Sequence, residues 1–194
     1  IILRPDMEPY RAPQLTLLTA VATSNMLKQT AKIPVQIKWP NDIYIHDRKL
    51  AGILTEMQGE QDRIEYVIIG IGMNINHSHA DFPEDVENKA TSLKIESEKE
   101  WKREPFIQAL LKELEQLYAL YMKEGFEPIK EMWEQSAYKL GEIITIHTSQ
   151  HQWDGRLIGL HHDGALIVED KDKKTHRIYS GEIDWKKDGA HNAK

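Results

Sequence analysis

From Val35 to Ile71 the chain carries four short runs rich in β-branched and aromatic residues, and the tight turns between them limit the fold more than any other feature. Val35 to Lys38, Ile43-Tyr44-Ile45, Leu50 to Met57 and Ile64 to Ile71 read as strands. Their connections, Trp39-Pro40-Asn41-Asp42, His46-Asp47-Arg48 and Gly59 to Asp62, are too short for parallel crossovers, so an antiparallel meander is expected. The contiguous Val67-Ile68-Ile69 is expected to be buried on both faces. A helix precedes the meander. Pro13 fits its first turn, and Leu15, Leu18, Val21, Ala22 and Met26 repeat at helical spacing to about Gln29.

Beyond the meander, Asn74 to Ala90 is polar and reads as a long loop, of the kind that often serves as a lid or binding loop. Glu104 to Lys123 predicts a helix through Phe106, Leu110, Leu114, Leu117 and Tyr121, and Pro128 to Tyr138 a shorter one. From Gly141 the pattern changes. Short strands at Ile143 to His147, Gln152 to Leu160, Ala165 to Glu169, Thr175 to Tyr179 and Ile183 to Trp185, with Asp-Gly turns between them, predict a small antiparallel barrel of SH3-like size. The reading is therefore an α+β domain over 1–140, a mixed or antiparallel sheet with packed helices, then a barrel over 141–186 and a tail over 187–194. Ile1-Ile2-Leu3-Arg4-Pro5 looks like the end of a buried strand stopped by Pro5, so the chain is expected to be a piece of a longer polypeptide.

Composition excludes several classes. A net charge of −6 gives no basic footprint for nucleic acid, and no apolar run nears the roughly 18 residues of a membrane span. The absence of cysteine removes thiol catalysis and cysteine-ligated zinc, and fits a reducing cytoplasm. His77, His79, His161 and His162 lack a third ligand at metal-binding spacing, so no metal site is expected from them.

The densest functional chemistry is Lys38-Trp39-Pro40-Asn41-Asp42. Lys38 is either a solvated surface cation or a charge shielded by the indole and aimed at a carboxylate or phosphate. Asn41 and Asp42 are good turn residues, and equally an amide and carboxylate for a magnesium shell or proton handling. Gly52, inside a strand, marks a bulge, tight packing or close approach of a ligand. Gly70-Ile71-Gly72-Met73-Asn74 lacks the third glycine of a dinucleotide loop, but leaves open backbone where a flat ligand can lie.

In order, Lys38 to Asp42, Arg48-Lys49-Leu50-Ala51-Gly52-Ile53-Leu54-Thr55-Glu56, Ile69-Gly70-Ile71-Gly72-Met73-Asn74-Ile75-Asn76, Ala90-Thr91-Ser92-Leu93 and Arg177-Ile178-Tyr179-Ser180-Gly181-Glu182-Ile183 resemble the biotin protein ligases over nearly the whole chain. The closest likeness is to the bacterial bifunctional type, ligase and biotin-operon repressor in one. The resemblance implies a class II synthetase-like core with an SH3-like C-terminal barrel. It implies that biotin and ATP, with Mg2+, form biotinyl-5′-AMP, and that a lysine of the biotin carboxyl carrier protein of acetyl-CoA carboxylase then takes the biotinyl group.

Carried over, Lys38 contacts the biotin carboxylate and the α-phosphate, and Gly52, Gly70 and Gly72 line the biotin pocket. Trp39, Asn41, Asn74, Thr91 and Lys186 lie by the adenylate, and Asp42 is the candidate base for the acceptor lysine. The family's arginine-rich biotin loop normally precedes the Ile-Leu-Arg-Pro strand at which this sequence starts. Operator DNA would likewise be bound only through a domain not present in this chain. A cytoplasmic homodimer joined by sheet edges is the expectation by analogy. The competing expectations are lipoate or octanoyl ligase chemistry on the same core, and a truncated core that only binds or dimerises. A free-standing regulator built on the small barrel has little support.

Overall fold

A computed structural model describes residues 1–147 and 152–185 of the chain. They divide into two compact units, Ile1–Tyr138 and Lys139–Lys194. The first unit is built on helix α1 (Ala12–Thr30) and a five-stranded sheet of β1 (Ile2–Leu3), β2 (Gln36–Lys38), β3 (Asp42–Ile45), β4 (Arg48–Gly59) and β5 (Ile64–Met73). The strand order is β1-β5-β4-β3-β2 and every pairing is antiparallel, as the short turns dictate.

Helix α1 is buried nearly all round, because it packs on one face of the sheet and beneath two further helices, α3 (Arg103–Glu124) and α4 (Glu127–Gln135). Thr19 and Thr23 tolerate that burial by donating their hydroxyls to the carbonyls of Leu15 and Thr19, at 2.7 and 2.8 Å. Leu15, Leu18, Val21 and Met26 of the helix and Ile37, Ile43, Ile53, Val67 and Ile69 of the sheet are all buried. Burying such side chains contributes about 1.5–3 kcal/mol each. Tyr121 of α3 closes the other side, donating to Gln14 Oε1 at 2.5 Å. Its burial pushes the phenol's pKa up.

The expectation that Val67-Ile68-Ile69 is buried on both faces does not hold. Ile68 is 39% exposed, while Val67 and Ile69 are buried. Strand alternation decides this: helices cover only one face of β5, so every second residue faces away from them. The polar stretch after β5 is irregular apart from a 3-10 turn at His79–Asp81, and it ends in a short helix, α2 (Leu93–Ser97), that hydrophobic periodicity is too brief to reveal.

In the second unit, β6 (Ile143–His147), β7 (Gln152–Leu160), β8 (Leu166–Glu169), β9 (Thr175–Ile178) and β10 (Glu182–Trp185) form an antiparallel sheet in the order β10-β6-β7-β8-β9. Among the described residues β9 and β10 remain its two ends, so the strands give a five-stranded sheet rather than a closed barrel. Ile144, Ile146, Leu157, Leu166 and Val168 fill its core.

Candidate active site

The register of the first sheet brings the sequence motifs together. Lys38 of β2 stands opposite Asp42 of β3, Asp42 opposite Gly52 of β4, and Gly52 opposite Gly72 of β5. Directly opposed residues share a face, so a lysine, a carboxylate and two glycines form one row across four strands. Three strand spacings make the row about 14 Å long. It lies on the face turned away from α1, since the alternate residues Ile37, Ile43, Ile53 and Ile69 are the ones in the core. Gly70, opposite Leu54, continues the same face.

The two glycines of β5 leave that face bare. A Cβ at Gly72 would meet nothing nearer than Gly52 O at 4.0 Å, and one at Gly70 nothing nearer than Leu54 O at 3.8 Å. The neighbouring side chains are apolar: Leu54 is 63% exposed, and Ile2 and Ile68 stand opposite each other nearby. The site is thus an open, partly apolar platform with charge at one end.

At the charged end, Lys38 Nζ lies 5.3 Å from the centre of the Tyr44 ring, which in turn packs against Tyr138 at 5.2 Å. Trp39 is buried, and the Trp39–Pro40 peptide is cis. Asp42 Oδ1 is 2.6 Å from Lys49 Nζ, an ion pair by distance without the angle of a hydrogen bond.

Lys49 reaches this face because of a β-bulge. Ile43 pairs with Ala51 and Tyr44 with Lys49, so Leu50 is an extra residue on β4. Lys49 and Gly52, three residues apart, thereby face the same way. A Cβ at Gly52 would come within 3.1 Å of Lys49 Nζ and 3.4 Å of Asp42 Oδ1, so the glycine makes room for the pair. Sequence reasoning gave Lys49 no role. Simple alternation puts it on the opposite face from Gly52, and only the bulge reverses that.

The other anticipated residues are placed differently. Asn41 is spent on the fold: its side-chain NH2 donates to Ile53 O at 2.8 Å and its backbone carbonyl accepts from Ile53 N at 2.9 Å, clamping the start of β3 to β4. Asn74 lies where β5 gives way to the loop, with its N–H on Leu50 O and its carbonyl receiving the N–H of Leu93. Both ends of the 75–90 excursion are therefore fastened beside the bulge. Thr91 is fully buried and donates its hydroxyl to Glu96, a residue that sequence patterns did not single out. Within the excursion, Asp81 accepts two hydrogen bonds from Ser78 at 2.7 Å, from its hydroxyl and its N–H, and these hold its carboxyl below the usual carboxylate range. Lys186 lies outside the described residues.

One face of the sheet thus combines bare glycine backbone, an exposed apolar strip and the side chains of Lys38 and Lys49. Comparison with known proteins places the chain in a family. Residues 2–74 match the Biotin/lipoate A/B protein ligase family. The bifunctional ligase/repressor BirA of Bacillus spizizenii is 42% identical over 184 residues, covering 95% of this chain and 56% of its own length. The biotin–[acetyl-CoA-carboxylase] ligase of Paracoccus denitrificans is 32% identical over 173 residues, covering 87% of this chain and 71% of its own. The apo biotin protein ligase of Aquifex aeolicus superposes with a TM-score of 0.85 at 27% identity, over 96% of this chain and 80% of that one. The chain belongs to the biotin protein ligase family. It spans about half the length of the bifunctional relatives it matches.

Proposed function

We propose that this chain forms the core of an enzyme that activates biotin with ATP and transfers it to a lysine of an acetyl-CoA carboxylase carrier protein. The observation that carries the reading is the row Lys38–Asp42–Gly52–Gly72, with Lys49 brought beside it by the bulge. The names of the relatives support the substrates, as does a solved structure of the Aquifex aeolicus biotin protein ligase in complex with biotin and ATP.

In this reading the fused rings of biotin lie on Gly70 and Gly72, where no Cβ intervenes, against the apolar strip. The biotin carboxylate points along the row toward Lys38 and Lys49. One carboxylate oxygen attacks the α-phosphorus of ATP, the bond from that phosphorus to the bridging oxygen breaks, and pyrophosphate leaves. Negative charge gathers on the phosphoryl oxygens in the transition state. Fixed ammonium groups on a partly dry face stabilise it more than they stabilise the separated reactants. The acceptor lysine's amine then attacks the acyl carbon, AMP leaves with the bonding electrons, and one proton is released. Asp42, ion-paired with Lys49 at 2.6 Å, is the carboxylate we assign to take that proton. Asn74 and Thr91 frame the adenylate side through the fastened excursion, and Trp39 backs the charged end.

Among the described residues no three carboxylates or histidines are grouped to hold a metal, and Asp42 is engaged by Lys49. The residues present do not fit a protein-held Mg2+, and no step is drawn through one. Among the same residues no helix is long and apolar enough to cross a membrane. With no cysteine in the chain, a reducing cytoplasm is the compartment we propose.

ATP–pyrophosphate exchange with biotin, and separately with lipoate, tests the reading. Exchange with biotin alone is expected. Exchange only with lipoate would replace the substrate, and binding of biotinyl-5′-AMP by calorimetry without any exchange would reduce the chain to a binding module. Asp42→Asn is expected to retain exchange and lose transfer to the carrier lysine by about 10²-fold or more. Unchanged transfer would remove Asp42 as the base.

A further inference from the structure

We propose that Glu96 is a positioning residue that sets where the Lys49 ammonium stands, by locking β4 at residues 48–49 to the returning chain at 89–91. The inference rests on the reading of Lys49 and Asp42 given above. Glu96 sits in the middle of α2 with its side chain only 9% exposed. One of its oxygens accepts from Arg48 Nη2 at 2.8 Å and from the Thr91 hydroxyl, and the other lies 3.7 Å from His46 Nδ1. One carboxylate thus grips the β3–β4 hairpin and the end of the excursion at once.

The peptide at Lys49 is held between those two grips. Its N–H donates to Lys89 O at 2.8 Å, and its carbonyl accepts the Thr91 N–H at 2.9 Å, a short parallel bridge added to the antiparallel strands. These two bonds fix the backbone of a residue that sits next to an extra, unpaired position in the ladder, where pairing with β3 alone constrains it less. Such a place needs an outside support, and Glu96 supplies it. The carboxylate tolerates burial because Arg48 offers a charged donor. Neither contact touches Asp42 or the glycine row, so the effect of Glu96 on chemistry passes through Lys49.

A merely structural role predicts a lower melting temperature with kcat unchanged. A positioning role predicts the reverse. Glu96→Gln keeps the shape and removes the charge that holds Arg48. It is expected to lower kcat for biotin-dependent ATP–pyrophosphate exchange by about tenfold or more, because small misplacements of a charged group cost that much, while KM for ATP stays within about twofold. The double variant Arg48→Met with Glu96→Gln is expected to lose no more than the worse single variant, since both break the same grip. Unchanged kcat in Glu96→Gln, or losses that multiply in the double variant, would overturn the proposal.

Should the unaltered protein show no exchange, the activity reading fails, and Glu96 is then judged by magnetic resonance alone. Glu96→Gln must speed amide exchange at Lys49 and Thr91 and move the Lys49 side-chain ammonium resonance, with α1 amides unaltered. A Lys49 resonance that stays in place overturns the proposal.

Discussion

Gly155 of the second sheet and Gly70 and Gly72 of the first all lie inside strands, and they mean opposite things. In the second unit, a Cβ at Gly155 would come within 2.4 Å of Val168 Cγ1 and 2.9 Å of Trp153 and of Glu169 O. That glycine exists because its surroundings leave no room. In the first unit, Gly70 and Gly72 have ample room, with nothing nearer than 3.8 Å. A strand glycine that nothing crowds weakens its sheet without any packing gain, and so points to something outside the fold that needs the backbone bare. Sequence alone does not separate the two kinds, since both sit in alternating apolar runs.

The sharpest way to break this comparison is to disturb charge on the open face. Lys38→Met is expected to slow ATP–pyrophosphate exchange by about 10²- to 10³-fold while leaving the melting temperature nearly unmoved. A loss of stability with normal exchange would turn Lys38 into an ordinary sheet residue. Next in size is Gly155→Ala, which forces overpacking and is expected to cost about 2 kcal/mol, read as a fall of about 4–8 °C in thermal unfolding. Gly72→Ala should do the opposite: stability within about 0.5 kcal/mol of the parent, but biotin affinity in calorimetry weakened about tenfold. Equal destabilisation by both glycine substitutions would erase the distinction.

The smallest effect concerns acid. Asp170 in the second unit is held below the ordinary carboxylate range by its hydrogen bond to His176 Nε2 at 2.6 Å, and then by the N–H groups of Lys174 and Asp172. A depressed carboxyl lends stability that is complete above the unfolded value of about 3.9 and is lost as pH falls through the lower folded value. Unfolding followed at His176 should thus show an acid slope below about pH 4 that Asp170→Asn abolishes. The first unit, probed at Trp133, should not respond to that substitution.

Much of the fold is legible in the residues. Helix α1, the meander and the strands of the second unit follow from spacing and turn chemistry because each is long or sharply punctuated. Pro13 falls in the first turn of α1 as expected. What escaped depended on partners distant in sequence. Ile68 looked like core because its neighbours are core, yet only one face of β5 is covered by helices. Helix α2 is five residues long, too short for periodicity to register. The lysine, carboxylate and glycines of the row were picked out by chemistry, but their alignment needed the register. Asn41 and Thr91 were picked out too, and their side chains turned out to bond Ile53 and Glu96. Lys49 was missed for a local reason, one extra residue at Leu50.

That extra residue gives the segment between Tyr44 and Ala51 a property that no side chain in it has: parity. Lys49 and Gly52 are three positions apart, an odd step, and the bulge absorbs the extra residue so that both point to the same side. Deleting one residue there, or inserting another, would leave composition, hydropathy and strand propensity almost untouched, and would still turn the ammonium group into the hydrophobic interior or out of reach of Asp42. For this stretch of chain, length carries information that identity does not. A search for related proteins should therefore penalise a one-residue gap here more than several substitutions.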